Sequence, residues 1–115
     1  MTTDTQNKMP LARLIAYRVA KDVSARVVAL EIREPQLRDQ AIRAAQSCCL
    51  NIAEAQGRWS GPDRTRMYRI ARGECCELCA ALEIAQISRR TSGSCDGALA
   101  GTGRLYALQT GLSRR

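Results

Sequence analysis

The sequence has no phenylalanine and no histidine, and its only aromatic side chains are Tyr17, Trp59, Tyr68 and Tyr106. Sandwiches and barrels of β-strands draw their cores from aromatic and β-branched residues, so this poverty points away from sheets. Alanine, leucine, isoleucine, valine and cysteine must fill the core instead, which suits closely packed helices. The lack of histidine also removes the commonest metal ligand and the usual acid–base catalyst near neutral pH. No apolar run approaches the ~18 residues of a membrane span, and nothing near Met1 reads as a signal peptide. The expectation is a cytoplasmic protein with no membrane partner, its six cysteines held as thiols rather than as a disulfide framework.

What the chain has in quantity is arginine. The net charge is +7, and 16 of the 18 basic residues are arginine. A guanidinium pairs bidentately with phosphate or carboxylate, whereas an ammonium acts as a hydrated point charge. A basic surface of this type attracts polyanions, nucleic acid first among them. The other source of such a bias is a genome whose base composition favours arginine codons, and charge alone does not separate the two.

At 115 residues there is room for one domain with one core. Residues 1–9 are polar and read as a disordered tail, leaving 10–115 for the fold. From Pro10, a first-turn proline, Ala12, Ala16, Val19, Val23, Val27 and Leu30 recur at steps of three and four, one apolar stripe on a helix. Pro35 ends that helix or begins the next, whose stripe is Leu37, Ala41, Ala44, Ala45, Cys48, Ile52 and Ala55. Gly57 stops it in the usual manner. The third helix has the clearest start: Ser60 as cap, Pro62 in the first turn, Asp63 favouring the dipole. Its stripe is Met67, Ala71, Cys75, Leu78, Leu82 and Ala85. Residues 91–97 read as a loop. A fourth helix rests on Leu99, Leu105, Leu108 and Leu112, although Gly101 and Gly103 each cost about 1 kcal/mol relative to alanine. Four helices with short connections predict an all-α, antiparallel up-down-up-down four-helix bundle.

The specific stretch is 38–85. Ile42-Arg43-Ala44-Ala45, Asn51-Ile52-Ala53-Glu54 and Gly57-Arg58 followed by Ser60 lead on to Ile70-Ala71-Arg72-Gly73 and Glu77-Leu78. In order and spacing these blocks resemble the four-helix-bundle proteins of the large-subunit ribosomal RNA intervening-sequence family. The chain departs from the family pattern at Cys48-Cys49-Leu50, where an Ile-Pro-Ala-like triplet is usual. It also carries Ala55 in place of glycine and Glu74 in place of serine. The resemblance implies a left-handed bundle, assembly into cyclic pentamers, and no enzymatic activity. Many relatives are encoded within insertions in ribosomal RNA genes, and distant ones accompany retroelement reverse transcriptases.

Three constellations carry possible chemistry. Asn51, Glu54 and Arg58 share an edge of the second helix, and Arg66, Gly73 and Glu77 share one of the third. They suggest a partly buried polar network of Asn51, Glu54, Arg72 and Glu77 that fixes register, with Gly73 letting the two backbones close up. An acid–base pair of Glu54 and Glu77 is the lesser reading, for want of a nucleophile or metal motif. Arg58, Arg64, Arg66, Arg69 and Arg72 form the candidate phosphate-binding patch, with Trp59 and Tyr68 near enough to stack on bases. Against it stands a solvated helix face whose arginines pair with Glu54, Asp63 or Glu77. Cys76 and Cys79 form a CxxC, and Cys75 with Cys79 a CxxxC, which facing Cys48 or Cys49 would make a candidate thiolate metal site, but cysteine is more often a small core hydrophobe.

Leu50, Ile84 and Cys76 fall off the apolar stripes and suggest contact between subunits. The reading is a non-enzymatic homo-oligomer that binds RNA or DNA without a cofactor. A module that docks a protein partner and a metal-binding bundle are the alternatives.

Overall fold

The computed structural model describes residues 11–88 and 95–113, so the predicted tail at 1–9 and most of the loop at 91–97 lie outside it. Four helices follow one another: α1 (Leu11–Ala29), α2 (Pro35–Gln56), α3 (Gly61–Ile87) and α4 (Asp96–Ser113). Each packs on its sequence neighbours, and α1 closes the square against α4. The four residues between α2 and α3 span at most about 14 Å. The 22-residue α2 is about 33 Å long. A parallel return is therefore out of reach, and α2 and α3 run antiparallel. The chain is an all-α four-helix bundle, and among the described residues no helix is long and apolar enough to cross a membrane.

The helix starts are chemically explicit. Glu34 caps α2, its carboxylate accepting from Gln36 N (3.2 Å) and Leu37 N (2.8 Å), with Pro35 as the first helical residue. Ser60 caps α3 by accepting from Asp63 N at 3.1 Å. Gly57 ends α2 with φ −88°, an ordinary right-handed conformation, so the stop does not use glycine's access to positive φ. Without a proline in it, Cys48-Cys49-Leu50 continues α2 unbroken.

The core holds most of the predicted stripes of three helices; Leu30 and Leu37 are half-buried at its edge, and the side chain of Ala12 lies outside those described. Ala16, Val19, Val23 and Val27 are buried on α1, and Ala41, Ala44, Ala45, Cys48, Ile52 and Ala55 on α2. Met67, Ala71, Cys75, Leu78, Leu82 and Ala85 follow on α3. Ile32, between α1 and α2, is an additional buried plug. The fourth helix departs from expectation. It begins at Asp96, so Gly97 is helical, and its buried face is Ala98, Thr102, Leu105 and Gln109, while Leu99 and Leu108 are only half-buried. Thr102 is satisfied by donating to Ala98 O at 2.7 Å. A Cβ on Gly101 would lie 2.9 Å from Val23 Cγ2, so this glycine is what lets α4 approach α1.

Candidate nucleic-acid interface

The connection between α2 and α3 gathers the predicted arginines at one end of the bundle. Arg58 pairs with Glu54 one turn back and, at 3.5 Å, with Asp63 in the first turn of α3. Arg66 reaches the same Asp63 at 3.1 Å. These are partly exposed pairs, each contributing about 0–1 kcal/mol. Arg64 serves the backbone instead. Its Nη1 donates to Arg58 O at 3.1 Å and to Trp59 O at 2.9 Å, clasping the loop against the start of α3. Arg69 is exposed and makes no ion pair among the described residues. Arg72 is half-buried. Among the described residues the five candidates thus divide into two neutralised guanidiniums, one clasp, one cation without an ion pair and one partly enclosed side chain.

The two nearby aromatics part company. Tyr68 is 2% exposed and belongs to the core, so it cannot stack on a ligand as its position in sequence suggested. Trp59 is 98% exposed. At the same junction, Arg58 Nε and Gln56 Nε2 are buried without an acceptor, an arrangement that costs stability there.

Of the residues predicted to form a register network, Asn51, Glu54, Arg72 and Glu77, Glu54 is paired within α2 and Glu77 is paired across the α2–α3 contact. Glu54 belongs to Arg58, whereas Glu77 accepts from Gln40 Nε2 at 3.2 Å. Gln40 and Glu54 are 14 residues apart on α2, a rise of about 21 Å, which is too far for two carboxylates to share a reacting bond. Asn51 is half-buried. Gly73 does not bring helices together: it is exposed, and a Cβ added to it would meet nothing within 4 Å. Glu74 is half-buried, and its carboxyl is pushed up by loss of solvent and by nearby Glu77, with Arg43 opposing.

Gln109 is the interior residue that sequence reasoning missed. It is fully buried, with Cys75 Sγ 3.2 Å from its Oε1, and its Nε2 donates to Cys48 Sγ at 3.3 Å. The two sulfurs lie 3.2 Å apart, closing a ring that ties α2, α3 and α4. The hydrogen bond with the Cys48 sulfur and burial push the Cys75 thiol far up, so it stays protonated. Of the remaining thiols, Cys79 donates to Glu83 at 3.1 Å and is pushed up to about 11 by burial and by that carboxylate. Cys49 is half-buried and raised by loss of solvent, and Cys76 is exposed. The metal candidates Cys48, Cys49, Cys76 and Cys79 do not converge, and among the described residues no three Cys, Asp or Glu side chains come together as a ligand set. A groove of about 380 Å³ between α3 and α4 has Cys76, Cys79 and Tyr106 in its walls.

The family whose description is "23S rRNA-intervening sequence protein" matches residues 12–93, which takes in the arginine junction and the helices on either side of it. No curated protein matches the chain.

Proposed function

The chain belongs to the 23S rRNA-intervening sequence protein family, and from that premise we propose a non-enzymatic, self-associating helical bundle that binds RNA or DNA electrostatically. The observation that carries this reading is the water-facing arginine cluster at the α2–α3 junction. Exposed Arg66 and Arg69, with partly exposed Arg58 and Arg64, stand there against the two carboxylates of Glu54 and Asp63, on a chain of net charge +7. The family's description, which names an intervening sequence of ribosomal RNA, supports an association with RNA. The sequence carries no helix-turn-helix or RNA-recognition signature, so the contacts fall on phosphates and discriminate little between sequences.

The test is a fluorescence-anisotropy titration of labelled structured RNA and duplex DNA at two salt concentrations. Binding weakens with salt, and Arg66→Gln with Arg69→Gln lowers the slope of log affinity against log salt by about 1 for each guanidinium–phosphate pair removed. Affinity that ignores both salt and these substitutions defeats the reading.

Exposed apolar side chains favour self-association as part of the same proposal. Leu50 is 69% exposed on α2, and Ile84 and Ile87 are exposed on α3. A protein partner is the other occupant such a surface admits.

A further inference from the structure

We infer that Trp59 is a stacking platform for an unpaired nucleobase, which makes the preferred ligand of the α2–α3 junction single-stranded. The inference rests on the electrostatic reading given above and names the class of nucleic acid that the same site takes.

Three observations carry it. The first is that the only tryptophan in the chain is 98% exposed, leaving on the order of 200 Å² of mostly apolar ring in water. Single exposed aliphatic residues are common, but a fully exposed indole is a large uncovered face.

The second is that the peptide bearing it is pinned. Arg64 holds the carbonyls of Arg58 and Trp59, and Ser60 is engaged as the cap of α3. Gly57 N and Arg58 N donate back to Glu54 O and Ala55 O. The ring stands outside the bundle on a backbone ordered on both sides, so stacking on it loses little additional loop freedom.

The third is the company it keeps. Arg66 and Arg69 are exposed within the first three turns of α3, and Arg69 makes no ion pair among the described residues. A strand whose phosphates lie along these guanidiniums brings its bases within reach of the indole.

A duplex cannot use this arrangement fully. Its phosphates are available to the arginines, but its base faces are already stacked on one another and only their edges are open. An unpaired base has a free face, and base–aromatic stacking tolerates any sequence. Charge complementarity therefore selects nucleic acid, and the exposed ring selects the unpaired form.

The experiment measures binding of a labelled 12-nucleotide RNA, alone and annealed to its complement, at one low and one high salt concentration, for the natural chain, Trp59→Ala and Trp59→Phe. Intrinsic fluorescence is recorded in parallel, since the one indole reports on this loop alone. Because Trp59 is outside the core, the variants keep the fold, which their thermal melts verify. The single strand is expected to bind more tightly than the duplex and to quench the indole. Trp59→Ala should lower single-strand affinity about tenfold while leaving the duplex little changed, and Trp59→Phe should recover part of the loss.

Equal binding of the two forms, indifferent to Trp59→Ala but sensitive to salt, overturns the platform and leaves the electrostatic reading standing. Loss of self-association in Trp59→Ala with unchanged RNA affinity also overturns it, because the ring would then be a contact between copies. Absence of salt-dependent binding to either form defeats both.

Discussion

Gly73 and Gly101 are both mid-helix residues with ordinary helical backbones, yet their surroundings predict opposite outcomes for the same substitution. A methyl on Gly73 would meet nothing within 4 Å, so only helix propensity changes, and Gly73→Ala is expected to stabilise by up to about 1 kcal/mol. A methyl on Gly101 would sit 2.9 Å from Val23 Cγ2, on a buried, β-branched side chain that has little rotamer freedom to yield. There the same propensity gain is outweighed by overpacking, and Gly101→Ala is expected to destabilise by about 1–3 kcal/mol. Denaturant melts of the two variants check the pair, and equal shifts in one direction would show that propensity alone governs these helices. If both variants bind nucleic acid as the natural chain does, the glycines belong to the fold and not to the junction.

At the scale of the element, α4 is where the bundle depends on a polar group. Its buried face is Ala98, Thr102, Leu105 and Gln109, and Gln109 reaches Cys48 across the core diagonal as well as Cys75 on the adjacent helix. Gln109→Glu keeps the shape but places an ionisable carboxyl among thiols with no cation to pair it. Near neutral pH this should cost about 3–5 kcal/mol. The sign of its pH dependence follows from burial: the introduced acid titrates above its unfolded value in the folded state. The lost stability therefore returns as pH falls through that raised value and is absent above it. Gln109→Leu, with no charge to bury, should lose far less, and thermal melts across pH 4–8 separate the two.

The same element marks the limit of what the residues reveal unaided. Stripes on α1, α2 and α3 were legible because apolar side chains recur at helical spacing and the buried faces follow them. On α4 the periodic leucines gave only part of the buried face, Leu105 at its centre and Leu99 and Leu108 at its edge, since threonine and glutamine in a core are visible only when their partners are known. The arginine junction was legible as composition and position. That Arg64 clasps the loop, that Tyr68 is core and that Trp59 is outside were not, because each depends on where a neighbouring helix lies.

Across the whole molecule, the basic junction and the outer apolar surface occupy different parts of one long body. On α3, Gly73, Cys76, Ala80, Ile84 and Ile87 recur at steps of three and four, all exposed, on the side opposite Ala71, Cys75, Leu78 and Leu82. This second stripe lets another helix approach, in the way the small residues of α2 let α3 approach inside the bundle. Ile84 lies 23 residues along α3 from Gly61, about 35 Å from the junction. Copies joined through the outer side of α3 would leave every Trp59 loop in water and set several basic junctions around one assembly. A strand long enough to span two junctions then gains from effective concentration, whereas a strand that covers only one does not. Ile84→Asp places a charge in that stripe without touching the core, so the monomer fold should survive with its melting temperature little changed. Sedimentation equilibrium is expected to show the natural chain as an oligomer and the variant as a single chain. Its affinity for a 12-nucleotide strand should stay within about twofold, while affinity for a 60-nucleotide strand should fall by about 10²-fold. A natural chain that sediments as a monomer at micromolar concentration removes the assembly, and an equal loss for both strand lengths would show that α3 itself touches the nucleic acid.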